Sequence, residues 1–350
     1  QTPRRANCES PSIPQLTVRY VIGSRRLAVL RPTLNTQRLG TFPEFLSHEV
    51  YPERKTMNTR VFFVTDVHGS ERCFKKFLNA GKFYKANVVM LAGDITGKMI
   101  VPIVKQSDGT YQSSYAGSEL RCKSEAEVQD LEKSIRDSGF YPYRTDPNEM
   151  ASLEADKNKV SELFTRLMVD TVERWVQMAE ERIRDSGIKC FISPGNDDRW
   201  EVDKALNESK VIINPEEKVV ELDQDHEMIT LGLTNHTPWK SPREFEEKQL
   251  AEMINKMAAG VKNMSNCVFN LHCPPYGTVI DPAPKLDETL KPVLSGGQVV
   301  MAPAGSTAVR GAIKKYQPLV GLHGHIHESK GVASIGRTKC FNPGSEYGEG

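Results

Sequence analysis

Residues 321–329 read GLHGHIHES, which sets His323, His325 and His327 on alternate positions in a chain with eight histidines in all. Short histidine spacing can mark a metal site, and equally a solvated turn. Four further places carry related side chains, each close behind a short apolar run. RVFFVT at 60–65 runs into Asp66-Val67-His68, and NVVMLA at 87–92 into Gly93-Asp94. IKCFIS at 188–193 leads to Gly195-Asn196-Asp197-Asp198, CVFNL at 267–271 to His272, and PLVGL at 318–322 to the histidine cluster. Taken singly, each has an ordinary explanation: Asp94 as a helix cap, Asn196 as a turn former, His272 as a satisfied core histidine. Five apolar runs that each deliver Asp, Asn or His at the same end point instead to one shared site.

Carboxylate, carboxamide and imidazole without thiolate suit Mn, Fe, Zn, Co or Ni better than a structural zinc. Asp66, His68, Asp94, Asn196, His272, His325 and His327 are too many ligands for one ion. They suit two divalent ions ~3.5–4 Å apart, with Asp94 the natural bridging carboxylate.

The elements that must position these groups are readable from periodicity. Short apolar runs bounded by turn residues are expected to be buried strands. After the first strand, Ser70 caps a helix with Phe74, Phe77 and Leu78 on one face, and NVVMLA follows. Strand, helix, strand is the order of a βαβ unit, whose C-terminal loops are open to chemistry. Between Asp94 and Asn196 the sequence reads as a long helical insertion, at about 98–187. Ser124 and Glu127 form a capping box, and apolar residues from Val160 to Ala179 recur at helical spacing. Two IRDSG stretches end in Gly139 and Gly187, placed as helix stops. SPRE at 241–244 is expected to open a helix with Ser241 as cap and Pro242 at its first position. Its buried face is Phe245, Leu250, Met253, Ile254, Met257 and Val261. Two short strands, around 332–335 and 339–341, finish the chain.

Composition narrows the class. The 350 residues are 38% hydrophobic and 26% charged, enough for a sizeable core. A formal charge of +1 gives no general attraction to nucleic acid or anionic membrane. No apolar run approaches the ~20 residues of a membrane span. Seven scattered cysteines without a CxxC argue against a disulfide framework or a thiolate zinc site and for a reducing, cytoplasmic compartment. Residues 1–56 differ: up to Pro43 the only basic type is Arg and the only acid is Glu9. A transit peptide, a disordered basic tail and sequence translated ahead of a start at Met57 all fit. The last is preferred, which makes 1–56 a non-native or disordered extension of a domain spanning 57–350.

The ordered set DxH, GD, GN, H, GHxH resembles the calcineurin-like metallophosphoesterase superfamily. TPWKSPRE at 237–244, PPYGT at 274–278, HGHIHES and NPGSEY at 342–347 resemble a bacterial and archaeal subgroup that carries GNDD. The resemblance runs from about Thr59 to Gly350. It implies an α/β fold, a four-layer αββα sandwich, with the site at the strand C-termini. It also implies that Asp66, His68 and His327 hold one metal, that Asn196, His272 and His325 hold the other, and that Asp94 bridges them. Manganese is the first expectation. The implied activity is hydrolysis of a small phosphate ester, a phosphodiester by preference, by a hydroxide bridging the ions. His323 falls outside GHxH and is expected either to support the site or to pack at the strand end.

One departure bears on mechanism. Many members of the superfamily read GNH, and that histidine is assigned to the leaving oxygen. Here the position is Asp197, which serves as a general acid if burial raises its pKa, or else orients Asn196. Rival functions are a scaffold with little catalysis, a phosphomonoesterase and a protein phosphatase. Loss of ligand positions would favour the scaffold, and none of the seven is lost. GNHE would favour the protein phosphatase, and it is absent.

Overall fold

The computed structural model describes residues 16–20 and 59–348. The first segment, β1 (Leu16–Tyr20), pairs in parallel with β2 (Thr59–Val64), Leu16 opposite Thr59 and Tyr20 opposite Phe63. The remainder of the expected extension, 1–15 and 21–56, lies outside the described residues.

Three elements follow β2: α1 (Glu71–Phe83), β3 (Val88–Ala92) and an inserted unit. That unit contains β4 (Ile100–Lys105), β5 (Tyr111–Tyr115), β6 (Ser118–Cys122), α2 (Glu125–Asp137), β7 (Tyr141–Thr145), α3 (Pro147–Ala155) and α4 (Lys157–Ile183). The chain returns through β8 (Lys189–Ser193), α5 (Val202–Glu208) and β9 (Ile212–Ile213) to complete a sheet ordered β1-β2-β3-β8-β9. A second half holds β10 (Val219–Glu221), β11 (Glu227–Leu231), α6 (Glu247–Ala258) and β12 (Val268–Leu271). Small hairpin strands β13 (Pro282–Pro284), β14 (Leu294–Ser295), β15 (Gln298–Val299) and β16 (Met301–Pro303) come next. Finally α7 (Thr307–Tyr316), β17 (Val320–Leu322), β18 (Gly331–Ile335) and β19 (Thr338–Asn342) complete a sheet ordered β10-β11-β12-β17-β19-β18.

Strand alternation sorts the core. Side chains of a strand point to opposite faces in turn. Val61, Phe63, Val88, Met90 and Phe191 therefore share one face of the first sheet, where they pack with Met228, Val268 and Leu322 of the second. Their neighbours Phe62, Val89, Leu91 and Ile192 turn outward to Phe74, Phe77, Val172, Trp175 and Leu206 of α1, α4 and α5. On the second sheet Ile229, Leu231, Phe269 and Leu271 pack under Leu250, Ile254 and Ile313 of α6 and α7. Buried on both faces, the central strands read as unbroken apolar runs. Among the described residues no helix is long and apolar enough to cross a membrane.

Trp175 anchors α4 to α1. It is 2% exposed and stacks on Phe74 with ring centroids 4.1 Å apart. Trp175→Ala is expected to lower stability by ~3–5 kcal/mol, from lost burial and the cavity left behind. Chemical denaturation checks this; a loss below about 1 kcal/mol would show that α4 is not seated on the sheet.

Two expectations are corrected here. The insertion is not purely helical: β6-β5-β4-β7 form a four-stranded sheet against α2, with Val101, Ile103, Val128, Leu131 and Ile135 between them. The β5–β6 hairpin turns on Ala116 and Gly117, both at positive φ (51° and 74°), the geometry of a two-residue hairpin loop. SPRE does not open a helix either, since α6 begins at Glu247. Glu244 does accept from Ser241 N at 2.8 Å, as the capping reading required. However, Arg243 is drawn into the interior, fully buried, where it donates to Asp198 O (2.7 Å), Arg199 O (3.0 Å) and Asp203 Oδ1 (2.6 Å). These tertiary bonds outweigh a local helix start.

Ahead of β10, the half-buried Glu216 accepts from Gly232 N at 2.7 Å. Burial pushes its carboxyl up to about 8, against an ordinary 4.5. Folded protein therefore keeps this proton over a range where unfolded chain has released it. The stabilising contribution is complete below pH 4.5 and is lost as pH rises to about 8. Glu216→Gln is expected to exceed the parent in stability by ~1–2 kcal/mol at pH 8 and to match it near pH 4.5. A difference that stays flat across urea titrations at several pH values would contradict this.

Candidate metal centre

Every group singled out at a strand end stands at the C-terminal edge of the paired sheets. Asp66 and His68 follow β2, Asp94 follows β3 and Asn196 follows β8. His272 follows β12, and His325 and His327 follow β17. The loops are tied to each other by backbone bonds: Asp66 N to Gly93 O (3.0 Å), His68 N to Asp94 O (3.0 Å) and Gly324 N to His272 O (2.9 Å). Asp66, His68, Asp94 and His325 all adopt positive φ, between 40° and 66°. Such backbone is uncommon for residues other than glycine and gathers at functional sites.

The glycines of the GD, GN and GH pairs have a steric reason. A Cβ on Gly93, at φ 94°, would run into the His272 imidazole. One on Gly195 would meet Asp94, and one on Gly324 would meet Thr65 and the Asp66 carboxylate. Each glycine lets neighbouring strand ends approach closely at this edge.

The side chains form two groups that share Asp94. Asp66, His68, Asp94 and His327 each offer a ligand atom, all within 4.8 Å of one another, and so do Asp94, His272 and His325. His68 Nε2 lies 3.0 Å from His327 Nε2, and His327 Nε2 lies 3.3 Å from Asp66 Oδ1. His272 Nε2 stands 3.4 Å from Asp94 Oδ1 and 3.7 Å from Asp66 Oδ1. Asn196 is 2% exposed, and its amide donates to Asp197 Oδ1 at 3.0 Å, leaving Oδ1 of Asn196 buried without a partner. Nδ1 of His272 is likewise buried without a hydrogen-bond partner. Orphaned buried polar atoms are costly unless something binds them. These buried Asp and His groups could hold metal ions, and the donor set of hard oxygen and imidazole nitrogen fits divalent transition metals.

The electrostatics are those of crowded, desolvated groups. Burial and the Asp197 charge push Asp94 up to about 7, although His272 opposes them. Burial would raise Asp66 too, but His272 and His327 hold it well below the usual carboxylate range. Burial works against the charged form of His272, yet Asp94 and Asp66 lift it to about 9. Burial and the nearby His272 depress His325 to about 3, so its imidazole is neutral and able to ligate.

Supporting residues surround this set. Asp198 is fully buried and accepts from Ile95 N (3.0 Å), Thr96 N (2.8 Å) and Gly195 N (2.7 Å), so it joins the loops that carry Asp94 and Asn196. His323 does not join either ligand group. Its Nδ1 lies 2.7 Å from Leu271 O and 3.2 Å from Cys273 O, the carbonyls on either side of His272, and burial lowers its pKa to about 4. It holds the His272 segment in place. Asn342 donates to Ile326 O at 3.0 Å, and Ser345 to Asp66 O at 2.6 Å, which gives NPGSEY its place beside the centre. The ring of Tyr347 lies 4.7 Å from that of His68. His226 is buried against Asp223, and His236 faces Glu244 and Glu246 on the surface. His48 lies outside the described residues.

Asp197 lies at the rim. Its backbone N donates to Asp94 Oδ1 at 3.0 Å. Its carboxylate accepts from Ser241 Oγ at 2.7 Å and pairs with Lys98 Nζ at 2.9 Å. Burial opposes ionisation, but Lys98 and Ser241 outweigh it and hold the pKa at about 2. The ionised form is favoured here, whereas a general acid needs the proton. Sequence reasoning passed over Lys98, which stands four residues past Asp94 in no recognisable motif.

No family profile matches the chain. Over 177 residues it is 32% identical to the uncharacterized protein MJ1162 of Methanocaldococcus jannaschii, covering 50% of this chain and 70% of that protein. The chain belongs to the family of this archaeal protein. Among solved structures, TT1561 of Thermus thermophilus aligns with a TM-score of 0.47 and 13% identity, over 83% of this chain and 90% of that one. Another crystal structure aligns with a TM-score of 0.48 and 17% identity, over 81% and 89%.

Proposed function

We propose that this chain is a calcineurin-like metallophosphoesterase, an αββα sandwich that hydrolyses small phosphate esters, phosphodiesters by preference, with two divalent ions. The observation that carries the reading is Asp94, whose carboxylate belongs to both groups of candidate ligands. Asp66, His68 and His327 would hold one ion, Asn196, His272 and His325 the other, and Asp94 both. Bound there, the two ions would supply an acidified water as nucleophile and positive charge for the phosphoryl oxygens. Manganese is the first choice of metal. Asp197 holds the Asn196 amide, which leaves the buried carboxamide oxygen of Asn196 without a protein partner and available to a metal. Free thiols at all six cysteines among the described residues fit a reducing, cytoplasmic setting.

The test is hydrolysis of bis-p-nitrophenyl phosphate and p-nitrophenyl phosphate by the full chain, metal-free and after Mn²⁺ addition. Metal-dependent release, faster from the diester, is expected. Silence on both esters with metal shown to be bound would end the phosphoesterase reading.

A further inference from the structure

We propose that the Lys98–Asp197 ion pair is a charge filter that sets the preference of this centre for monoanionic phosphodiesters over dianionic monoesters. The inference rests on the phosphoesterase reading and deepens it.

Position comes first. Asp197 is one residue past Asn196, and its backbone N is bonded to Asp94 Oδ1 at 3.0 Å. A phosphoryl group held at Asp94 and Asn196 would therefore lie beside its carboxylate. Lys98 reaches the same place from the loop after β3, with Nζ 2.9 Å from Asp197 Oδ2. The side chains of Lys98 and Asp197 are 43% and 26% exposed, so the pair is open to solvent and not sealed in the core. Asp197 is held from three sides, by Lys98, Ser241 Oγ and the Asn196 amide. The pair is a built feature, not a chance meeting of flexible side chains.

Charge gives the consequence. The ammonium answers the carboxylate, so the rim adds almost no net positive charge to what the ions supply. An arriving dianion finds no uncompensated cation at the rim for its second charge. A monoanionic diester has no second charge to leave unanswered. The diester also carries a second organic arm. Two exposed apolar side chains lie nearby in sequence to the pair and its partner: Met99 next to Lys98, and Trp239, 67% exposed, two residues before Ser241, whose hydroxyl bonds Asp197.

The experiment uses the full chain with Mn²⁺, comparing the parent with Asp197→Asn, Lys98→Met and Lys98→Arg. Calorimetry reads the affinity for phenyl phosphate, a dianion, and diphenyl phosphate, a monoanion. Turnover of the two p-nitrophenyl esters is followed in parallel, and metal content is checked for each variant. Asp197→Asn keeps acceptors for Ser241 and Asn196 while freeing the ammonium. It is expected to tighten phenyl phosphate about tenfold relative to diphenyl phosphate, and to shift the monoester-to-diester ratio of kcat/KM the same way. Lys98→Met should weaken the dianion more than the monoanion, and Lys98→Arg should restore the parent's ratio. Equal effects on both anions in Asp197→Asn and Lys98→Met, with metal content intact, would overturn the filter while leaving the phosphoesterase standing. A metal-loaded parent that cleaves neither ester would overturn the reading beneath it and the filter too.

Discussion

Asp94→Asn is expected to remove bound metal and turnover together. Asp94 is the one carboxylate common to both ligand groups, is 2% exposed, and lies 3.4 Å from His272 Nε2 and 3.8 Å from His68 Nε2. A carboxamide has one good ligand oxygen and no charge, so it cannot serve two cations at once. The substitution is otherwise mild, because an asparagine oxygen still accepts from Asp197 N and the loop keeps its shape. Metal retained after dialysis, measured by elemental analysis, should fall to one ion or fewer per chain. Diester turnover should drop by more than about 10³-fold. A variant with the parent's metal content and turnover would exclude Asp94 as a bridge.

The second large effect is steric. Gly93→Ala adds one methyl group, yet its Cβ would be driven into the His272 ring, and the residue sits at φ 94°. Overpacking and left-handed strain together should cost ~2–4 kcal/mol, and His272 should be displaced. Gly109→Ala is the matched control: its φ is 84°, but nothing lies within 4 Å of the added atom. It carries only the conformational penalty, ~1 kcal/mol. Thermal denaturation and metal affinity should therefore separate the two variants. Equal losses would show that backbone strain, and not the approach of His272, explains the glycine.

The core and the loops that carry the candidate ligands were legible because they obey short-range rules. Central strands such as VVMLA are buried on both faces, so their composition alone marks them. Side chains able to ligate metal recur directly after them at the strand ends. Ser70 and Ser124 cap their helices as read, each accepting a backbone N–H three residues on. What escaped depended on distant partners. IVPIVK is masked by stronger helical stripes, although Asp108-Gly109, the turn that leads from β4 to β5, is a hairpin signal in the sequence. SPRE carried a good local cap, and nothing nearby announced that Arg243 would be claimed by Asp198, Arg199 and Asp203. Lys98 gains its meaning only from Asp197, about a hundred positions later.

Asp66, His68, Asp94 and Asn196 belong to the sheet built around β2 and β3, whereas His272, His325 and His327 belong to the sheet built around β12 and β17. Ions held by both sets would act as rivets across the seam between the two halves. Each half has its own outer apolar cluster, so each can be pictured yielding separately once the rivets are drawn. Loaded protein should then melt in a single concerted step at higher temperature, and chelator-treated protein more gradually. The centre would serve the chain as a fastener as well as a workplace, and selection for one duty would preserve the other.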